Sequence, residues 1–389
     1  LAEAAAGERR RHKDAVALKV VISGYYGFGN AGDEAILEAI LSDLRSVRPK
    51  IRAVVLSGDP PATAARFGVE AVPRWNLPAV VRALRGAALF ISGGGSLLQD
   101  VTGWGSVPYY AGLIYLARLM GVPVFVYAQG LGPLRRRPLQ ALARWALNAA
   151  AEVTLRDRLS YQLARRLGVD DRKLAVTADP VFGLAARAVS AGPESAPVVG
   201  VALRPDPGGD AAMDEAVSEA VAAALAPRLA GWNARVVLLP LHPGRDGSVL
   251  RLVGAKLEDL GLGQRIVAWA PSRGAGCAAM SARDWMLLFS RLDVCVTMRL
   301  HALIFAACAG VPFVALSGDP KVAAHVDELG LPRGLCLAQP PSSPEQLGAM
   351  LDGVWEKRAV FRSLLRERSE ALAARARETA LRALRWARG

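Results

Sequence analysis

Short runs that are apolar at almost every position recur along this chain, each followed by a stretch of helical period. Examples lie at 88–92, 122–128, 198–203, 293–297 and 312–316. A strand with one wet face alternates apolar and polar residues, whereas a strand covered on both faces need not. Unbroken apolar strands separated by helices therefore point to the α/β class, with parallel sheets between layers of helices. In such sheets ligands collect outside the carboxyl ends of the strands. The residues that end each run are the ones to inspect for chemistry.

Two series of this kind are visible. In the first, strand-like runs at 18–22, 53–57, 88–92, 122–128, 152–155 and 174–177 alternate with helical patterns at 33–44, 107–119, 138–149 and 158–167. The second has runs at 198–203, 235–239, 265–268, 293–297 and 312–316, with a helix near 212–229. Between them the segment AVSAGPESAP has no periodicity and reads as a linker. The expected organisation is a basic N-terminal tail (1–13), a Rossmann-like domain (14–187), the linker (188–197), a second Rossmann-like domain (198–343) and a basic C-terminal helix (344–389) packing back on the first domain. The two α/β domains are expected to face each other across a cleft. A length of 389 residues, more than one core usually serves, agrees with two domains.

Charge and cysteine usage narrow the function classes. The net charge is +13, but residues 357–389 alone hold ten Lys/Arg against three Glu, and a second basic run spans 9–13. Such termini favour nucleic acid, an anionic membrane surface, or solubility alone. No helix-turn-helix, finger or aromatic-basic signature accompanies them, so nucleic acid is the least favoured partner. The four cysteines are widely spaced, without CxxC or Cys/His metal spacing, which fits a reducing, cytoplasmic setting and predicts no metal site. No stretch of 18 apolar residues exists and the N-terminus lacks a hydrophobic signal core. The expectation is a soluble or membrane-peripheral protein.

Three strand ends in the first series are rich in glycine: Gly24 to Glu34, Ser92-Gly93-Gly94-Gly95-Ser96, and Gln129-Gly130-Leu131-Gly132. One such loop often just turns the chain, but three on one sheet edge offer bare amides to sugar or phosphate oxygens. The dinucleotide form of GxGxxG is absent, and Asp33 and Glu34 at a helix start would oppose a phosphate there. Carboxylates in that place suit a hydroxyl-rich ligand, by hydrogen bonding or base catalysis, or merely complement the helix dipole. Arg156 closes a later strand, where its fork could grip an anion, while Asp157 and Ser160 read as caps.

In the second series Arg299-Leu300-His301 lies between a strand and a helix, which places a fixed cation beside an imidazole that titrates near neutral pH. A lone histidine is more often structural, yet the arginine partner and the strand-end position favour catalysis. Lys321, in Asp319-Pro320-Lys321, follows the next strand, and His242 is a minor candidate after another. Together Arg156, Arg299 and Lys321 suit a small ligand with two anionic groups.

At these residues the chain resembles the polysaccharide pyruvyl transferases, especially the CsaB-type enzymes of secondary cell-wall polymers. The matching pieces are Gly27-Phe28-Gly29-Asn30-Ala31-Gly32-Asp33-Glu34, Ser92 to Ser96, Gln129-Gly130, Arg156-Asp157, Asp179-Pro180, Arg299-Leu300-His301-Ala302 and Asp319-Pro320-Lys321. The resemblance implies a GT-B-like pair of Rossmann-type domains and phosphoenolpyruvate as donor, with no cofactor and no metal. Arg156, Arg299, Leu300 (through its backbone), His301 and Lys321 would then hold the donor. Gly29, Asn30, Asp33, Glu34, Gly94, Gly95, Ser96 and Gln129 would face the acceptor, a polymeric or lipid-diphosphate-linked sugar containing N-acetylmannosamine. His301 is expected as general acid and Asp33 as base, at the inner face of the cell membrane.

Two other classes share parts of this pattern. A GT-B nucleotide-sugar glycosyltransferase shares the two-domain architecture, since fold does not fix chemistry. A non-catalytic protein that binds anionic glycans would use the same cations without needing His301.

Overall fold

In the computed structural model the described residues are 17–101, 103–187, 196–267, 280–316, 319–332, 335–337 and 343–388. They form two compact units, one of residues up to 28 with 36–183 and 374–389, the other of 29–35 with 184–373. Each is built on a wholly parallel sheet.

The first sheet has seven strands, β1 (Leu18–Ser23), β2 (Ile51–Ser57), β3 (Glu70–Pro73), β4 (Leu89–Ser92), β5 (Val124–Gln129), β6 (Glu152–Leu155) and β7 (Leu174–Val176), in the order β3-β2-β1-β4-β5-β6-β7. The intervening helices are α1 (Ala31–Val47), α2 (Pro60–Phe67), α3 (Leu77–Leu84), α4 (Ser106–Leu119), α5 (Arg137–Ala149) and α6 (Arg158–Leu167). Strand order reverses between β1 and β4, so the loops leaving these strands diverge at a topological switch point. Val20, Val21 and Ile22 of β1 are fully buried, each worth roughly 1.5–3 kcal/mol of transfer free energy. Asp59, Asn76 and Asp157 cap α2, α3 and α6 by accepting from backbone N–H groups of the first turn.

The second sheet has six strands, β8 (Val198–Ala202), β9 (Arg235–Leu238), β10 (Ile266–Val267), β11 (Val294–Thr297), β12 (Phe313–Leu316) and β13 (Cys336–Leu337), in the order β10-β9-β8-β11-β12-β13. Its helices are α7 (Ala211–Gly231), α8 (Pro243–Asp259), α9 (Ala282–Phe289), α10 (Leu300–Ala309), α11 (Pro320–Glu328), α12 (Pro344–Glu356) and α13 (Arg358–Arg385). The switch point here lies between β8 and β11. Gly200 in β8 is explained by packing, because a methyl there would stand 2.5 Å from a Leu292 methyl. Cys295 of β11 is fully buried, and burial raises its thiol pKa, as befits a core residue.

The boundaries differ from those read from sequence in two ways. Residues 29–35, at the start of α1, pack with the second unit. The helical stretch after Pro344 is two helices parted at Lys357, and 374–389 pack with the first unit while the earlier part of α13 packs with the second. The basic N-terminal tail and nearly all of the 188–197 linker lie outside the described residues.

Candidate active site

The second unit gathers a charged cluster at its switch point. Arg204 follows β8, His242 follows β9 and Arg299 follows β11. The Arg299 N–H donates to the Thr297 hydroxyl at 2.9 Å, and that hydroxyl donates back to the Arg299 carbonyl at 3.1 Å. The turn is thus closed on a fully buried threonine. Arg299 Nη2 donates to Asp246 Oδ1, and the other Asp246 oxygen accepts the His242 N–H at 2.8 Å. Asp246 is fully buried in the first turn of α8. A buried carboxylate is tolerable only when paired and hydrogen-bonded, and here both oxygens are engaged. Asp246 therefore fixes the direction of the Arg299 fork.

His301 is the second residue of α10, and its ring lies against Gly32 in the first turn of α1. A methyl at Gly32 would stand 2.8 Å from His301 Cβ and closer still to Nδ1 and Cγ. Alanine is the better helix former, so the imidazole's approach explains glycine at this helical position. The turn entering α1 is itself held in place. Asn30 Nδ2 donates to Asp33 Oδ2, Gly32 N–H donates to Asn30 Oδ1 at 3.3 Å, and Ala31 N–H donates to the Leu241 carbonyl at 2.8 Å. One unit thus joins His301, Arg299, the 30–33 turn and the loop that carries His242. Glu34 is buried in the same turn, and Leu300 occupies the first turn of α10, where amides lack intrahelical acceptors.

Lys321 sits in the first turn of α11, 6% exposed, with its N–H on Asp319 Oδ1 at 3.0 Å. His325 Nδ1 donates to the Lys321 carbonyl at 2.9 Å, which anchors the helix start from below. Burial above all, then the charges of Arg299 and Arg245, lowers the His242 imidazole pKa. Burial likewise lowers that of Arg204, with Asp319 opposing and Arg299 reinforcing the shift. Arg204 stays protonated at neutral pH all the same. Its Nε has no hydrogen-bond partner among the described residues.

The first unit presents a set of its own. Arg156 is 2% exposed, with Nη1 on Asp179 Oδ2 at 2.9 Å, Nη2 on Ser96 Oγ at 3.2 Å, and Nε 3.7 Å from Asp157 Oδ2. A methyl at Gly130 would meet Arg156 Nε and Nη2 at 2.8 Å and Ser96 Oγ at 2.9 Å. The guanidinium thus ties together the loops after β4, β5 and β7. Gln129, fully buried, has no hydrogen-bond partner for either amide atom among the described residues, a state that costs about 1–3 kcal/mol per group. Gly95 pairs with Gln129 in an isolated bridge, which brings Ser96 and Gln129 together. Gly94 is crowded by the Ile36 side chain at 2.8 Å, so packing already accounts for that glycine. Asp157 caps α6 as expected, whereas the Ser160 hydroxyl instead accepts from Leu131 N–H at 2.9 Å and secures the 129–132 loop.

Sequence reasoning missed Asp246, Arg204 and a third group around Arg74. The Arg74 guanidinium, 5% exposed, donates to the Gly24 carbonyl and the Tyr110 hydroxyl, both at 3.1 Å, and lies 4.4 Å from the Tyr109 ring. Trp75 beside it is 72% exposed. Among the described residues no group of three or more His, Cys, Asp or Glu is arranged to hold a metal ion.

The family model of the polysaccharide pyruvyl transferases matches residues 30–320, well over half of the chain. Among curated proteins none matches this sequence. Solved structures share the fold. The UDP-GlcNAc 2-epimerase of Neisseria meningitidis, bound to UDP-GlcNAc, is 10% identical, with a TM-score of 0.62 over 94% of this chain and 99% of that one. Anabaena Alr3699/HepE, in complex with UDP and glucose, is 13% identical, with a TM-score of 0.55 over 95% and 98%. The UDP-GlcNAc 2-epimerase of Methanocaldococcus jannaschii is 10% identical, with a TM-score of 0.58 over 86% and 91%. At such identities the likeness shows the fold alone, a pair of parallel-sheet α/β domains of GT-B type.

Proposed function

Because this chain belongs to the polysaccharide pyruvyl transferase family, we propose that it moves pyruvate from phosphoenolpyruvate onto two hydroxyls of one sugar, forming a ketal and releasing phosphate. The acceptor in this reading is a cell-wall glycan precursor of the CsaB type, a lipid-diphosphate-linked disaccharide with N-acetylmannosamine. The enzyme works at the cytoplasmic membrane face and needs neither cofactor nor metal.

The chemistry balances with two acceptor protons. His301 protonates the methylene carbon of the enol, which makes the adjacent carbon electrophilic. One sugar hydroxyl adds there, the bond to the phosphate oxygen breaks, and the second hydroxyl closes the ketal. Of the two hydroxyl protons, one replaces that given by His301 and the other leaves with phosphate. Arg299, with Lys321, meets the carboxylate and phosphate and stabilises the departing charge. Asp33, oriented by Asn30, takes the proton of an attacking hydroxyl. Gly29 and Glu34, beside Asp33, are assigned to the acceptor side.

The observation that carries this reading is the packing of His301 on Gly32, one residue from Asp33 and two from Arg299 in sequence. It sets the imidazole beside a helix start that offers a carboxylate. The test incubates the protein with phosphoenolpyruvate and a panel of disaccharides, read for phosphate release and for a mass gain of pyruvic acid less water. A protein that instead releases nucleoside diphosphate from nucleotide sugars is the glycosyltransferase alternative. One that binds glycans and turns over neither donor is the binding module.

A further inference from the structure

We propose that the outer face of α4 and α5 docks this protein on an anionic lipid surface. The inference rests on the lipid-linked acceptor proposed above for its purpose, and on this surface alone for its physics.

A solvated helix presents charged residues outward, as α6 does with Arg158, Arg165 and Arg166. The α4 helix does not. Its exposed positions are Pro108, Gly112, Tyr115, Arg118 and Leu119; the four uncharged ones fall on one helical stripe, and Arg118 is its sole charged residue. On α5 the exposed Ala141 and Trp145 continue the pattern beside the exposed Arg137 and Arg144, and the rings of Tyr115 and Trp145 lie 5.1 Å apart across the two helices. Leu119 is 66% exposed, Tyr115 47% and Trp145 43%. Leaving such side chains in water forfeits their transfer free energy, so a face of this kind implies an occupant.

Charge selects which one. From Asp100 to Glu152 the chain has no acidic residue between, yet it carries five arginines. At the C-terminal end of α4 a pocket of about 510 Å³ is lined by Arg118, Gly121, Trp386 and Arg388 among others. Arg118 and Arg388 each give one nitrogen to a carbonyl, of Ala149 at 2.8 Å and of Gly121 at 2.7 Å, so both forks are held at its rim. Glu152, which ends that acid-free stretch, is engaged by Arg382 and by the Trp386 indole. A second copy of the chain docking through a two-fold axis would set this acid-free, arginine-bearing face against a copy of itself. An anionic headgroup layer meets them with opposite charge, while Trp, Tyr and Leu enter the interfacial zone such residues favour.

The experiment is flotation of the full chain with vesicles of phosphatidylcholine alone or mixed with phosphatidylglycerol, at low and high salt. The wild type should float with the anionic vesicles, less at high salt. Leu119→Glu, at an exposed site, should lower the partition coefficient at least about tenfold with an unchanged melting temperature. The pair Arg118→Gln and Arg388→Gln should lower it about 25-fold, from about fivefold per cation. Phosphate release with a water-soluble acceptor should be untouched by all three changes. Absence of flotation, or Leu119→Glu behaving as wild type, overturns the proposal. So does ultracentrifugation in which Leu119→Glu turns a dimer into a monomer. A protein that floats yet never consumes phosphoenolpyruvate refutes the function and leaves the docking face standing; turnover without flotation does the reverse.

Discussion

Gly32→Ala separates the catalytic use proposed for His301 from the stability of the fold. Alanine outranks glycine by at most about 1 kcal/mol in a helix, the full value applying to interior positions and less to the first turn where Gly32 stands, so local propensity alone would slightly stabilise α1. The new methyl, however, would stand 2.8 Å from His301 Cβ and nearer to the ring. Carbon contacts settle at about 3.5–4.0 Å, so the imidazole must retreat by roughly 1–2 Å. A displacement of that size at a catalytic group costs on the order of a hundredfold in rate, which is about 2.7 kcal/mol in the barrier. The propensity gain and the local crowding oppose each other, so the melting temperature should shift by only a few degrees. The assay is phosphate release from phosphoenolpyruvate with a soluble disaccharide, alongside thermal melting. His301→Ala alone should lower kcat by about 10²–10⁴, and adding Gly32→Ala to it should cost nothing further. Wild-type kcat in Gly32→Ala, or an equal fall in the His301→Ala background, would refute the assignment.

Asp246→Asn keeps the shape of the buried pair and removes its charge. Loss of one partner from such a pair costs about 3–5 kcal/mol at the extreme, so a melting temperature lower by several degrees is expected, with a raised KM for phosphoenolpyruvate as the Arg299 fork loosens. His242 has a folded pKa below its ordinary value of about 6.5, so the unfolded chain binds the proton more readily. Its contribution is intact above about pH 6.5 and fades as pH falls toward the folded pKa. Chemical denaturation of wild type and His242→Gln should therefore show the wild type losing ground only below that pH; parallel curves across it would count against the shift.

The strands that position the site were legible because they are apolar throughout: β1, β5, β8 and β11 lie within a residue or two of the runs read from sequence. The edge strand β3, with Glu70 and Pro73 in four residues, carries no such signal. Helices α2 and α3 are eight residues each, too short for periodicity to appear, although Asp59-Pro60 and Asn76-Leu77-Pro78 are start signals in plain view. Helix α8 was hidden by Gly244, Gly247 and Gly254, which read as loop. Within the site, Arg299 and His301 announced themselves by standing together at a strand end. Asp246 did not, since its meaning lies in a partner 53 residues away that only the folded sheet brings near. The approach of His301 to Gly32 spans the chain still further, and no local pattern encodes it.

Arg204 illustrates the same limit and sharpens the electrostatic argument. Arg299 is balanced by Asp246, and Asp319 is spent partly on the Lys321 N–H. A cluster so nearly neutral gains little net attraction for an anion, so its value lies in cations already desolvated and aimed. Arg204 departs from that balance. It feels Asp319, Asp246 and Asp206 at a distance, yet its Nε makes no hydrogen bond among the described residues. A planar fork held beside Arg299 at the switch point matches a carboxylate or phosphate through two parallel bonds, which an ammonium cannot reproduce. Arg204→Lys should therefore raise KM for phosphoenolpyruvate nearly as much as Arg204→Ala, on the order of tenfold or more for a lost charge-assisted bond, with the acceptor KM unchanged. Recovery of wild-type KM by lysine would mean that charge alone matters there and that the fork has no ligand to grip.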